Sequence, residues 1–285
     1  MNNKLTDIKY VKGLALRYGF RFSKSLGQNF LVRESVLDRT LDVCGADENT
    51  AVLEIGPGIG TLTMALASRA GKVVSAEIDK SLIPILEETT AEAENVHILC
   101  ADALKLDLAK LCEEELSFEK RIVCANLPYY ITAQAVEKVL TSRLFGSVTL
   151  MLQYEAAKRI CSRPGDEQYC ALAALADFYC LRSIPFLVPA DCFYPQPGVG
   201  SAVLHLEVRE ELPYDDDRYV CRLINAAFAQ RRKTMANSLA NSGFCTRADA
   251  ERALAEAGFE ANCRAEMLSG EDFARLAACL RNLNA

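Results

Sequence analysis

From about residue 51 the chain alternates short β-branched runs with longer stretches whose apolar residues recur at helical spacing. The runs are AVLEI (51–55), KVVSAEI (72–78), NVHIL (95–99), RIVCAN (121–126) and SVTLMLQ (147–153), and each predicts a strand. The intervening segments 60–69, 80–91, 103–112 and 132–143 predict helices. Such alternation specifies a doubly wound, mostly parallel sheet. Two later runs, 181–188 and 201–208, flank a proline-rich stretch. They are expected to add antiparallel edge strands, since proline belongs in connections and edges rather than in central strands. Beyond Leu212-Pro213 and the triplet Asp215 to Asp217 only helical patterns remain, near 216–230, 234–240, 247–257 and 270–281, with Gly243, Gly258 and Gly270 as separators.

Composition removes several classes. With 51% hydrophobic and 25% charged residues the chain reads as globular, and no stretch reaches the ~18 apolar residues of a membrane span. The start, MNNKLTDIKY, lacks an apolar run after its positive residues, so a cytoplasmic location is expected. There the twelve cysteines read as free thiols serving as small buried hydrophobes. No C-x-x-C pair occurs, and the two histidines, His97 and His205, fall inside strands; no metal site is expected.

The net charge of −6 conceals a partition. Residues 1–33 carry seven basic side chains and one acid, residues 34–217 are net −15, and residues 218–285 are net +3. Segment 218–247 holds Arg218, Arg222, Arg231, Arg232, Lys233 and Arg247 without an acid. Such a stretch suits either a polyanion or a solvated helix face. The expected organisation is a basic N-terminal segment (1–33), a Rossmann-like domain (34–212) and a C-terminal helical domain (213–285).

The first strand runs into Glu54-Ile55-Gly56-Pro57-Gly58-Ile59-Gly60 ahead of a helix. This puts Gly56 and Gly58 at the carboxyl edge of the sheet, where open α/β sheets bind ligands. Glu77, followed by Ile78, ends the second strand 21 residues after Gly56, a placement suited to the ribose hydroxyls of a nucleoside. The G-x-G-x-G spacing departs from the dinucleotide pattern, which weakens a nicotinamide reading. Asp102, before Ala103, follows the third strand; it suits either an adenine amine or a helix N-cap.

The fourth strand ends in Asn126-Leu127-Pro128-Tyr129, the most specific signal in the chain. An exocyclic adenine amine is a poor nucleophile because its lone pair is delocalised into the ring. Two acceptors can make that nitrogen more tetrahedral, the Asn126 side-chain oxygen and the Leu127 carbonyl, while Pro128 fixes the turn and Tyr129 stacks on the base. A methyl carried on a sulfonium is already activated, so positioning and charge stabilisation suffice. The alternative is a proline turn with a core tyrosine.

With these motifs stand Lys24-Ser25-Leu26-Gly27-Gln28-Asn29-Phe30-Leu31, the stretch from Val188 to Pro197, Ser201-Ala202-Val203, and the stretch from Phe228 to Leu239. Together they resemble the ribosomal RNA adenine N6,N6-dimethyltransferases over almost the whole chain. The resemblance implies S-adenosylmethionine as methyl donor, with Gln28, Asn29 and Leu31 closing over it, Gly56 at its methionine part, Glu77 at its ribose and Asp102 at its adenine. It implies Asn126 between donor and target, and Phe193 as a second wall of the base slot opposite Tyr129. It further implies a target of two adjacent adenines in the 3′-terminal hairpin loop of 16S rRNA within the immature small ribosomal subunit, where unpaired bases are extruded cheaply. A monomer suffices to clasp one hairpin, with Arg231, Arg232 and Lys233 on RNA. Gly200 stands where the family usually has an acid, and Tyr130 where a smaller polar residue is common. Rival readings are a large-subunit rRNA methyltransferase of the macrolide-resistance type, a DNA adenine methyltransferase, a non-enzymatic small-subunit assembly factor and an NAD-dependent dehydrogenase.

Overall fold

A computed structural model describes residues 4–20, 22, 27–230 and 232–283, apart from the side chain of Tyr129. Numbered along the chain, the strands are β1 (Phe30–Leu31), β2 (Thr50–Ile55), β3 (Lys72–Glu77), β4 (Val96–Cys100), β5 (Lys120–Asn126), β6 (Ser147–Gln153), β7 (Cys180–Val188), β8 (Phe193–Tyr194) and β9 (Ser201–Val208). Seven of them form one sheet in the order β4-β3-β2-β5-β6-β9-β7. β2 runs parallel to β3 and β5, β3 to β4, and β5 to β6. The chain moves outward from β2 in one direction and resumes at β5 on the other side, so the reversal of strand order, where such sheets open a crevice, falls between β2 and β5.

The sequence placed both later strands at the edge, and the structure corrects one of them. β9 lies inside the sheet, antiparallel to β6 with Met151 opposite Val203. Only β7 is at the edge, and it carries Pro185, whose missing N–H is harmless there.

The chain divides into two compact units, Met1–Ala157 with Ser183–Glu207, and Lys158–Arg182 with Val208–Ala285. In the first unit, two helices outside the predicted set cover the sheet. Ile8–Arg17, capped by the Asp7 carboxylate, buries Val11, Leu14 and Ala15 against Ile59, Leu82, Ile85 and Leu86. Glu34–Cys44 stops at Gly45 (φ +62°), the left-handed conformation that glycine adopts without a Cβ clash. It packs Leu37 and Leu41 into the core with Val52, Ile122 and Met151.

The second unit contains the four predicted helices, at Asp217–Phe228, Met235–Asn241, Arg247–Glu256 and Gly270–Asn282. Asp216 and Thr246 cap two of them, and Ser269 with Asp272 forms a capping box on the last. Gly243 and Gly258 sit in the left-handed region just past helix ends. Gly270 is no separator: it begins the last helix, and a Cβ there would lie 2.4 Å from the Phe178 nitrogen. This close approach belongs to helix Ala171–Tyr179, which is buried along most of its length and joins Lys158–Arg182 to the later helices rather than to the sheet. Apolar but for Asp177, it offers little helical period to read. Asp177 and Arg182 staple it: the Arg182 guanidinium donates to the carbonyls of Ile160, Ser162 and Ala173 and to the Asp177 carboxylate, while Asp177 Oδ2 accepts from the Gly270 N–H at 2.7 Å.

All twelve cysteines are free, but only six are buried; five are half-buried and Cys100 is exposed at the end of β4. The expectation of buried thiols therefore holds for half of them. His97 and His205 lie in β4 and β9, beside the Glu115 carboxylate and the Thr149 hydroxyl, each at 2.9 Å. Among the described residues no helix is long and apolar enough to cross a membrane.

Candidate active site

A cleft opens at the carboxyl ends of β2, β3, β4 and β5, each contributing the residue that ends or follows it. Its lining includes Gly56 and Gly58 after β2, Glu77 and Ile78 at β3, Asp102 and Ala103 after β4, and Asn126 and Pro128 at β5. Gln28, Asn29 and Leu31 line it from the N-terminal side.

The glycine turn needs glycine twice over. Gly56 (φ +70°) and Gly58 (φ +64°) are both left-handed. A Cβ on Gly58 would lie 2.7 Å from the Phe30 ring, and one on Gly56 would lie 3.3 Å from Pro128. The protein's own Phe30 and Pro128 thus close over the turn. Phe30 belongs to an aromatic group with Phe20, Phe22 and Tyr194, and β1 pairs with β8, Leu31 opposite Phe193. Residues 27–31 therefore form a strap across the cleft.

Glu77 is buried, and burial raises its carboxyl above the ordinary range against the bonds it accepts from the N–H groups of Asp79 (2.8 Å) and Gly58 (3.2 Å). A carboxylate has about four acceptor sites, so lone pairs remain for a ligand. Ile78, Ala103, Leu104 and Ile131 line the same cleft with apolar surface. A diol attached to a flat, weakly polar ring fits that combination. Asp102 lines the cleft, and its Oδ1 caps the turn by accepting from the Leu104 N–H at 3.0 Å.

Asn126 Nδ2 donates to the Asn29 carbonyl at 3.1 Å. With its amino side anchored to the strap, the carboxamide presents Oδ1 as an acceptor. The Leu127 N–H continues the sheet by bonding to the Met151 carbonyl (2.9 Å), while the Leu127 carbonyl receives no hydrogen bond from a described residue. Leu127 itself is buried and Pro128 leads into the turn Tyr129–Ile131; the Tyr129 side chain lies outside the described residues. Phe193 is not among the cleft-lining residues: 3% exposed, it packs in the core with Leu31 and Val188.

Further polar residues line the cleft to which sequence reasoning gave no role. Tyr130, 54% exposed, lines it; burial, then the charges of Glu77 and Asp102, raise its phenol. Gln134 and Glu54 line it as well. Glu54 is fully buried, its Oε2 accepting from Thr63 and Ser75 at 2.7 Å each, and burial pushes its carboxyl up to about 7 from an ordinary 4.5. In this case the folded state holds the proton more tightly than the unfolded one. The Glu54 contribution is favourable below pH ~4.5 and is lost as pH rises through ~7, about 3 kcal/mol in all. Glu54→Gln is expected to remove that loss. Urea midpoints at pH 5 and pH 8 should therefore diverge between the two proteins, with wild type falling relative to the variant; parallel curves would contradict the buried acid.

In the second unit, Arg218, Arg232 and Lys233 form no ion pair with a described residue, whereas Arg247 pairs with Glu251 at 2.8 Å, Arg281 pairs with Asp216, and the charge of Arg222 also helps to lower the Asp216 carboxyl. Arg232 and Lys233 are exposed, and Arg231 lies outside the described residues. Among the described residues no group of His, Cys, Asp and Glu is arranged to hold a metal.

Comparison with known proteins follows the same lines. A ribosomal RNA small subunit methyltransferase A from Shouchella clausii is 42% identical over 98% of this chain and 97% of its own length. A crystal structure of a dimethyladenosine transferase from Plasmodium falciparum shares the fold, with a TM-score of 0.74 at 23% identity over 89% of this chain and 98% of that one. That of the 23S rRNA methyltransferase ErmE aligns with a TM-score of 0.66 at 26% identity over 89% of this chain and all of that one. Residues 19–282 match the family described as ribosomal RNA adenine dimethylase, and with the glycine turn, Glu77 and Asn126 gathered at one sheet edge, the chain belongs to that family.

Proposed function

We propose that this protein transfers methyl groups from S-adenosylmethionine to the N6 amines of two adjacent adenines in the 3′-terminal hairpin loop of small-subunit rRNA, within the immature subunit. The observation that carries the chemistry is the anchored carboxamide of Asn126, held through Nδ2 by the Asn29 carbonyl. The donor supplies a methyl on a positively charged sulfur. Asn126 Oδ1 and the Leu127 carbonyl then accept the two N–H bonds of the target amine and localise its lone pair. Glu77 would receive the ribose hydroxyls, Asp102 the adenine amine, and Gly56 the methionine part, with Ile78, Ala103 and the strap residues Gln28, Asn29 and Leu31 enclosing the rest. Tyr129 stacks on the target base. Small-subunit RNA is preferred over large-subunit RNA because the 42% identity to a small-subunit enzyme spans 98% of the chain, against 26% over 89% for the 23S enzyme.

The test incubates the protein with labelled S-adenosylmethionine and undermethylated 30S or 50S particles and maps the products by mass spectrometry. Two N6,N6-dimethyladenosines in 16S rRNA are expected. Label in 23S rRNA, or in neither, would overturn the reading.

Arg218, Arg232 and Lys233, which form no ion pair with a described residue, support an RNA-binding role for the second unit. Replacing Arg231, Arg232 and Lys233 with alanine should weaken RNA binding and flatten its salt dependence by up to roughly 0.7 in logarithmic slope for each phosphate no longer neutralised. An unchanged slope would remove these residues from the interface.

A further inference from the structure

Asp79 has no role so far, yet hydrogen bonds converge on it from both sides of the cleft. Its backbone N–H donates to Glu77 Oε1 at 2.8 Å, on the carboxylate whose Oε2 is held by the Gly58 N–H. Its own carboxylate divides its oxygens. Oδ1 accepts from the N–H and hydroxyl of Ser81 at 3.0 and 2.6 Å, and Oδ2 accepts from Gln28 Nε2 at 2.7 Å. Partial burial pushes this carboxyl upward, but the bonds from Ser81 and Gln28 outweigh it and leave the group below its usual range. Gln28 precedes Asn29, whose carbonyl holds Asn126 Nδ2, and Phe30 fills the space over Gly58. A continuous set of contacts thus runs from Glu77 through Asp79, Gln28 and Asn29 to Asn126, all within one unit.

We infer that Asp79 is a positioning residue, latching the strap through Gln28 so that the arrangement of the Glu77 site and the orientation of the Asn126 carboxamide are set together. This rests on the reading of Glu77 and Asn126 given above. Asp79 is not among the residues lining the cleft. Its effect runs through the Gln28 Nε2 bond that ties the strap to the β3 end.

The consequence is a defect in turnover that saturating donor does not repair. Losing a hydrogen bond to a charged acceptor corresponds to roughly tenfold or more. Asp79→Ala should therefore weaken S-adenosylhomocysteine binding by calorimetry and also lower kcat for undermethylated 30S particles at saturating S-adenosylmethionine, each by about tenfold, with KM for the particles unchanged. Gln28→Ala should lower kcat similarly without touching the Ser81 turn. In the double variant the losses should not multiply, since both remove one latch. Asp79→Asn, which retains an acceptor oxygen, should recover most of kcat.

Full kcat in Asp79→Ala and Gln28→Ala at saturating donor, or losses that multiply in the double variant, would overturn the inference. Asn126→Ala, run alongside, separates the two levels. If it leaves turnover intact, the reading of the site fails. If it abolishes turnover while the Asp79 and Gln28 effects multiply, only the latch fails.

Discussion

Asn126→Ala is expected to lower methyl transfer by roughly 10²–10³-fold, the loss typical of removing one preorganised polar group from a reacting centre, while S-adenosylhomocysteine binding stays measurable. The retained affinity follows from the lining, since Glu77, Asp102 and the glycine turn belong to other strand ends. Asn126→Asp divides the effect further. A carboxylate still accepts from the target amine but cannot donate to the Asn29 carbonyl, so its orientation is no longer held by the strap. Its rate should fall between wild type and Asn126→Ala. Single-turnover rates at saturating donor, paired with calorimetric affinities, check both variants; wild-type turnover in Asn126→Ala would refute the assigned role.

Asp177→Ala should destabilise the second unit by roughly 1.5–3 kcal/mol, the range for losing hydrogen bonds to a charged group, because the Asp177–Arg182 pair is only half-buried. The Arg182 side chain is 10% exposed and its guanidinium is fixed by three carbonyls, so it cannot swing out to water. The Gly270 N–H loses its acceptor as well. Asp177→Asn keeps an acceptor and should lose distinctly less. Amide exchange in 171–179 and 270–282 measures the effect, and protection equal to wild type in Asp177→Ala would contradict it.

The sheet was legible because its inner strands are buried on both faces and read as continuous apolar runs, as in β2, where every residue is buried. Once their ends were fixed, so was the rim that carries Gly56, Glu77, Asp102 and Asn126. Other features had no local signature. β1 and β8 are two residues each, too short for any period. Helix Ala171–Tyr179 is apolar except at Asp177 and cannot be told from a strand by its period. Glu54 lies inside an apolar run, and the hydroxyls that accommodate it come from 9 and 21 residues away. The Gln28–Asp79 bond spans 51 positions, and neither residue type predicts the other. The pairing of Phe193 with Leu31 is likewise a long-range event with no local signature.

The place of Ala171–Tyr179 also bears on synthesis. Its apolar surface is sealed by a helix that starts at Gly270, so about 90 residues must emerge after Tyr179 before that partner exists, roughly 5–20 s of elongation. During that interval the growing polypeptide offers a greasy segment to chaperones, and a premature stop between the two would leave it permanently uncovered. Nonsense or frameshift lesions in that window should thus yield aggregation or proteolysis rather than a shortened but working enzyme.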